Sequence, residues 1–277
     1  MVTPNKKFRF IDDTPLQGPP KTTRRALENP RLRRFPGSVN DITWIEYIGH
    51  GEEGHVYLAD ITDYGRVAVK VFWDTYQCPH YTFPVKSESR TVDLLQKLQA
   101  ALSEAEKSPT QTIMVKHGAE NRHVAQSNIR AFSDEERESS GNPYDESKQP
   151  VPSPPPFPSC HGWLEIQNTQ LPNVYPQRHR VPDPSGHSIA IVYEYVEETQ
   201  LDDAGKPIID YTVTQSFFDY LRAVGLGLSF TGRNWRQSRL VDFNDIRTPP
   251  NPRWSNMSLG PYYASKVQWI DYSVDPR

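Results

Sequence analysis

Gly49-His50-Gly51-Glu52-Glu53-Gly54-His55-Val56 and, eleven residues on, Val67-Ala68-Val69-Lys70 decide how this chain reads. The first stretch is a complete G-x-G-x-x-G-x-V, and the second sets one lysine in an apolar run. A glycine-rich turn can lead from a strand into a dinucleotide-binding helix or can join two strands. The flanks choose between these. Trp44-Ile45-Glu46-Tyr47-Ile48 and Val56-Tyr57-Leu58-Ala59-Asp60-Ile61 alternate and are rich in β-branched and aromatic residues, so both read as strands. Tyr64-Gly65 is a turn, and residues 66–73 make a third strand. The order is strand, glycine turn, strand, turn, strand with lysine.

Apolar residues recur at helical spacing through Val92, Leu95, Leu98 and Leu102, which predicts a helix over residues 87–107. Glu88 lies four residues before Val92 and seven before Leu95, so it points to the same buried face. A carboxylate there needs a partner. Lys70, eighteen residues earlier, is the expected one; the alternative is a surface glutamate favoured by the helix dipole.

This order of elements resembles the N-terminal lobe of a protein kinase, with a phosphate-covering hairpin and a phosphate-pairing lysine. The expected fold class is α+β: a protein-kinase-like fold with a five-stranded antiparallel N-lobe and a truncated, mostly helical C-lobe. Residues 160–166 and 188–196 would supply the last two strands and the hinge. Tyr193 would stand at the gatekeeper position, and Glu194 and Val196 would offer backbone groups to an adenine edge. The resemblance implies ATP or ADP with Mg2+ as cofactor, held by Gly49, Gly51, Gly54, Val56, Lys70, Glu88, Glu194 and Val196.

The segment where the chemistry should sit departs from the kinase pattern. Residues 214–225 place Phe217, Phe218, Leu221 and Val224 on one helical face. Beyond them, Asp242-Phe243-Asn244 stands where kinases carry D-F-G, which makes Asp242 a candidate magnesium ligand and Asn234 a second. The catalytic base would fall five residues before Asn234, at Ser229, beside Leu228 and Phe230. No Asp, Glu or His lies between Leu221 and Val241. Serine cannot accept the substrate proton at neutral pH, and losing general-base help costs roughly two to four orders of magnitude in rate. Only 35 residues follow Asp242 (277 minus 242), with no A-P-E, so little is expected to remain for docking a peptide.

Composition bounds the rest. The chain has 277 residues, a formal charge of −3 and 26 prolines, which implies no global preference for nucleic acid or membrane. It has no run of 18 apolar residues and no apolar signal-peptide core, and it holds only two cysteines, Cys78 and Cys160, so an intracellular setting is expected. Cys78, His80, Cys160 and His161 fit no zinc-finger spacing. Residues 1–38 read as a basic, proline-rich arm with nine cationic against three acidic side chains. It is either a solvated tail or a contact for nucleic acid or an acidic surface. Residues 39–116 would hold the glycine hairpin, lysine strand and helix. Residues 117–157, with a charge run at 133–140 and a polyproline-like run at 150–158, read as a disordered insertion. Residues 158–277 would hold the remaining strands, the hinge and the truncated C-lobe.

Several of these blocks resemble a fungal kinase-like family labelled kinetochore Sim-four complex subunit Fta-two. They are the hairpin over 45–56, Phe83-Pro84 with Glu88-Ser89-Arg90, Cys160-His161-Gly162-Trp163-Leu164, and Leu240-Val241-Asp242-Phe243-Asn244-Asp245-Ile246-Arg247-Thr248. The similarity covers roughly residues 40–252 without the insertion. It implies a nuclear protein of the inner kinetochore assembly whose partners are other kinetochore subunits. This chain departs from the family in lacking the His and Asp of the catalytic loop. The expected function is a pseudokinase-like scaffold; the alternative is an atypical ATP-dependent phosphotransferase acting on a small or unusual substrate.

Overall fold

A computed structural model describes residues 9–51, 53–73, 83–107, 112–139, 146–172, 183–204, 206–229, 231, 234–249, 251 and 253–266. Cys78, His80, Glu52 and Phe230 lie outside the described residues. The chain is mixed α+β and divides into two units. Unit one comprises residues 1–18, 30–93 and 158–195; unit two comprises 19–29, 94–157 and 196–277. Among the described residues, no helix is long and apolar enough to cross a membrane.

In chain order the elements open with β1 (Ile11–Pro15), α1 (Arg24–Glu28), β2 (Leu32–Arg34), β3 (Ile42–His50), β4 (Gly54–Ile61), β5 (Gly65–Phe72) and α2 (Pro84–Glu106). There follow β6 (Met114–Lys116), α3 (Arg122–Arg130), α4 (Asp134–Ser139), β7 (Lys148–Pro150), β8 (Cys160–Gln167) and β9 (His187–Glu194). The last are α5 (Tyr211–Val224), β10 (Gly227–Leu228), β11 (Trp235–Arg236), β12 (Arg239–Leu240) and β13 (Ile246–Arg247).

Unit one is built on a seven-stranded sheet in the order β1-β2-β8-β9-β5-β4-β3. The run β8-β9-β5-β4-β3 is antiparallel. The expectation of five strands is corrected by β1 and β2, which add parallel to the β8 edge. These strands come from the segment read as an arm. Leu32 and Phe35 are both almost fully buried, so local burial outweighs the positive charge of Arg31, Arg33 and Arg34. Phe35 donates its N–H to Trp163 O at 2.7 Å, and the Trp163 indole donates to Asp12 O at 2.8 Å.

The alternation of β5 sets the two faces of the sheet. Val67, Val69 and Val71 join Tyr57, Ala59, Ile61, Leu164, Ile166, Ala190 and Val192 in one buried cluster. Ala68 and Lys70 face the other way. The helix α2 begins at Pro84, three residues earlier than the periodicity indicates. Proline suits the first helical position, and Phe83 O accepts from Lys86 and Ser87 N–H. Its residues 84–93 belong to unit one and the remainder to unit two.

Unit two holds most of the segment expected to be disordered, and that expectation is corrected. Within 117–157, α3 and α4 form, and Ala125, Ile129, Phe132 and Phe157 are buried. The Asn128 side chain fixes α3: it accepts from Lys116 N–H at 3.0 Å and donates to Lys116 O and Ala223 O at 3.1 and 2.9 Å. The acidic run of α4 meets α1 of the supposed arm. Arg24 pairs with Glu136 at 2.6 Å, and Thr22 Oγ1 donates to Asp134 at 2.6 Å. Arg130 of α3 pairs with Glu28 of α1 at 2.8 Å.

α5 starts on an Asp210 cap that accepts from Thr212 and Val213 N–H. It stops at Gly225, whose φ of +88° and distance of 2.7 Å between its Cβ position and Ala125 leave room only for glycine. A mostly helical C-terminal part is not found. Among the described residues of 196–266, α5 is the only α-helix, followed by two-residue strands and 3-10 turns. The five prolines from residue 249 on work against long helices there.

Candidate functional site

The glycine hairpin of unit one is held by packing on one side and bare on the other. β3 and β4 pair through Gly49↔Val56 and His50↔His55, and Gly51 N–H donates to Gly54 O at 3.0 Å across the tip. A Cβ on Gly54 would lie 2.0 Å from the Val71 carbonyl oxygen, so this glycine lets β4 lie against β5. A Cβ on Gly49 or Gly51 would meet nothing within 4 Å. Those two glycines serve no internal packing; they leave backbone open to whatever approaches the tip. Aromatic contacts stiffen the hairpin. His55, fully buried, lies 4.0 Å from the Trp73 ring centroid and 3.3 Å from the Tyr47 hydroxyl. Burial pushes the Tyr47 phenol up to about 12.

Lys70 stands opposite Val56 on β4 and Ile191 on β9, so these three side chains share one face of the sheet. Val56 is partly buried beside it. The Lys70 ammonium donates to Glu88 Oε2 at 2.6 Å. Glu88 is fully buried, and its other oxygen accepts the Tyr193 hydroxyl at 2.7 Å. Tyr193, read from sequence as a gatekeeper, is therefore tied back to the helix carboxylate. Glu53, at the hairpin tip, also approaches Lys70, with its Oε2 3.7 Å from the ammonium. One cation thus faces two carboxylates. The sequence reading did not single out Glu53, and it named Tyr193 without its bond to Glu88. Tyr193 is 105 residues from Glu88, and Glu53 is one of two adjacent glutamates between Gly51 and Gly54.

Glu194 closes β9. Its N–H donates to Ser159 O at 2.8 Å and its carboxylate accepts Ser159 N–H at 2.9 Å. That N–H is engaged within unit one. Val196 lies beyond the strand, in unit two, and is buried.

The remaining candidates lie in unit two. Asp242 Oδ1 accepts Asn244 N–H at 3.1 Å and so caps the turn at 243–245. Val241 N–H donates to Asn234 O at 2.8 Å, which puts Asn234 and Asp242 on neighbouring backbone. The Asn234 amide, however, donates to Asp245 Oδ2 at 3.0 Å. Asp245 is buried, and its carbonyl accepts Ser229 N–H at 2.7 Å. The fold therefore returns a carboxylate to a loop whose own sequence has none. Its only sequence signal is its place three residues after Asp242. Cys160, from the discarded zinc reading, is buried, and burial pushes its thiol up, away from the thiolate a metal requires.

No protein-family model matches this chain, and no curated protein matches it.

Proposed function

We propose that this chain is a protein-kinase-like module that works by binding and scaffolding, with a weak hold on ATP or ADP with Mg2+. The observation that carries the reading is the buried Lys70–Glu88 pair at 2.6 Å, on the lysine strand that pairs directly with the glycine hairpin. The antiparallel run β8-β9-β5-β4-β3 supports it. Gly49 and Gly51 fit a phosphate group, since their bare backbone leaves space that a side chain would fill. Glu53 works against such a ligand, because its carboxylate stands near the ammonium a phosphate would seek. Bound nucleotide would supply phosphates to Lys70 and the hairpin backbone, and Glu53 would have to move aside.

Phosphoryl transfer is not expected. Between Leu221 and Val241 no side chain can accept a proton at neutral pH, and Ser229 stands where the base would be. The partners we propose are subunits of an inner kinetochore assembly in a fungal nucleus, on the strength of the family resemblance alone. A nucleic-acid contact through the N-terminal segment has fewer cations to draw on than its composition implies. Arg24 is paired with Glu136, Arg31 holds Ile11 O, and Arg33 holds Gln17 O and Gly18 O.

One observation favours a second reading, an atypical phosphotransferase acting on a small substrate: Asp245 lies against Asn234 and Ser229. The discriminating assay is phosphate transfer from labelled ATP, with thermal shift in Mg-ADP run alongside, on wild type and Lys70→Ala. The scaffold reading expects no transfer and a small Mg-ADP shift lost in the variant. Robust transfer abolished by Lys70→Ala would promote the phosphotransferase. No shift at millimolar nucleotide would remove the nucleotide from the proposal.

A further inference from the structure

The first turns of α2 carry polar groups that no described residue of unit one answers. Lys86, Ser89 and Arg90 stand at i, i+3 and i+4, the spacing that shares one side of a helix. Ser89 is fully buried, and its hydroxyl has no hydrogen-bond partner among the described residues. The Arg90 Nε is buried and equally unanswered among the described residues. Lys86 is partly buried beside them. Among the described residues, no carboxylate pairs with Lys86 or Arg90. The nearest acids along the helix are engaged: Glu88 holds Lys70 and Tyr193, and Asp93 accepts Arg31 N–H at 2.7 Å.

This arrangement is unfavourable as it stands. Like charges four residues apart on a helix repel. Burial depresses the basicity of both cations, and Arg90 depresses that of Lys86 further. A buried hydroxyl or guanidinium N–H without a partner is destabilising, and such groups in a native fold call for an ion or a water.

We propose that Lys86, Ser89 and Arg90 form a binding site for a phosphate group. Two fixed positive charges match the nearly double charge of a phosphate, whereas a carboxylate would leave one of them unbalanced. The guanidinium fork suits bidentate contact with two oxygens, the ammonium serves as a point charge, and the hydroxyl donates to a third oxygen. Free phosphate and a phosphorylated side chain share this chemistry. The site does not depend on nucleotide binding at Lys70.

The test uses the full chain, melted in phosphate and in chloride at matched ionic strength, with phosphate affinity from calorimetry. Phosphate raises the midpoint where chloride does not. Arg90→Met and Lys86→Met each weaken phosphate binding about tenfold or more. Ser89→Ala weakens it too, yet leaves the midpoint in chloride unchanged or higher, because an orphaned hydroxyl has gone. Lys86→Met, at the more exposed position, keeps the test valid if Arg90→Met does not fold. A phosphoserine peptide that binds more tightly than inorganic phosphate assigns the source to a modified side chain; weaker binding assigns it to the free ion. Equal midpoints in phosphate and chloride overturn the proposal. So does phosphate affinity that survives both methionine substitutions.

Discussion

Replacing Lys70 by methionine keeps the stem of the side chain in its buried place and removes only the ammonium. Glu88, with no solvent exposure, keeps the Tyr193 hydroxyl but loses its countercharge, while Glu53 remains near the vacated position. Removing one partner of a buried pair costs about 3–5 kcal/mol. A second argument caps the loss. A stranded glutamate can take up a proton, which from its ordinary value near 4.3 costs about 3.7 kcal/mol at pH 7 (about 1.36 times 2.7). The expected loss at pH 7 is therefore about 3–4 kcal/mol. The proton route also dictates a slope. The stranded carboxylate holds a proton when folded and releases it when unfolded, so the deficit deepens as pH rises above about 4.3 and shrinks toward acid. At pH 5.5 about 1.6 kcal/mol should remain. Adding Glu88→Leu removes the stranded charge and should recover most of the loss. The assay is urea denaturation of wild type, both single variants and the double at pH 5.5 and 7, followed by tryptophan fluorescence. A loss under about 1 kcal/mol with no pH slope would refute the reasoning, as would a double variant no more stable than Lys70→Met alone.

Gly54→Ala should cost about 1–3 kcal/mol or more, because its Cβ would meet Val71 O at 2.0 Å. Gly51→Ala should change stability by no more than about 0.5 kcal/mol while weakening Mg-ADP binding; equal losses in the two variants, read by urea denaturation, would deny the contrast. Glu53→Gln should tighten Mg-ADP binding by about two- to five-fold in calorimetry, the range of a partly exposed ion pair, and an unchanged affinity would show that Glu53 does not compete. Burial holds the His161 imidazole below its ordinary value, with Glu194 opposing, so it stays neutral when folded and takes up a proton sooner when unfolded. Stability is then present above about pH 6.5 and falls below it, and His161→Gln should flatten that fall in an acid titration of the melting point. Deleting residues 1–38 should lower the melting point sharply, since it removes β1, β2 and α1 together with buried Leu27, Leu32 and Phe35; a truncated chain that melts like the full one would mark the segment as dispensable.

What could be read from the sequence is what depends on near neighbours. The hairpin β3-β4, the lysine strand β5 and the helix α2 announce themselves by alternation, glycine turns and helical spacing, each within a window of about twenty residues. The Lys70–Glu88 pair belongs here too, because the helix face of Glu88 is set by the apolar residues that follow it. Proline at 84 and the Asp210 cap moved the helix starts by three residues each, which is the scale on which capping competes with periodicity.

The rest was decided by pairing across long separations. β2 is three residues long and rich in arginine, so its composition argues for a tail; only β8, well over a hundred residues away, gives it a sheet edge to join. The acidic run at 133–138 looks like a solvated chain until α1 brings Arg24 to it across 112 residues. Tyr193 reaches Glu88, Glu53 reaches Lys70 and Asp245 reaches Asn234 only because the backbone has already placed them together. Local spacing fixes which face a side chain takes, and the sequence by itself determined that much here. Which distant group meets it on that face depends on the sheet order and on the burial that the whole chain secures, and only the tertiary structure decided that.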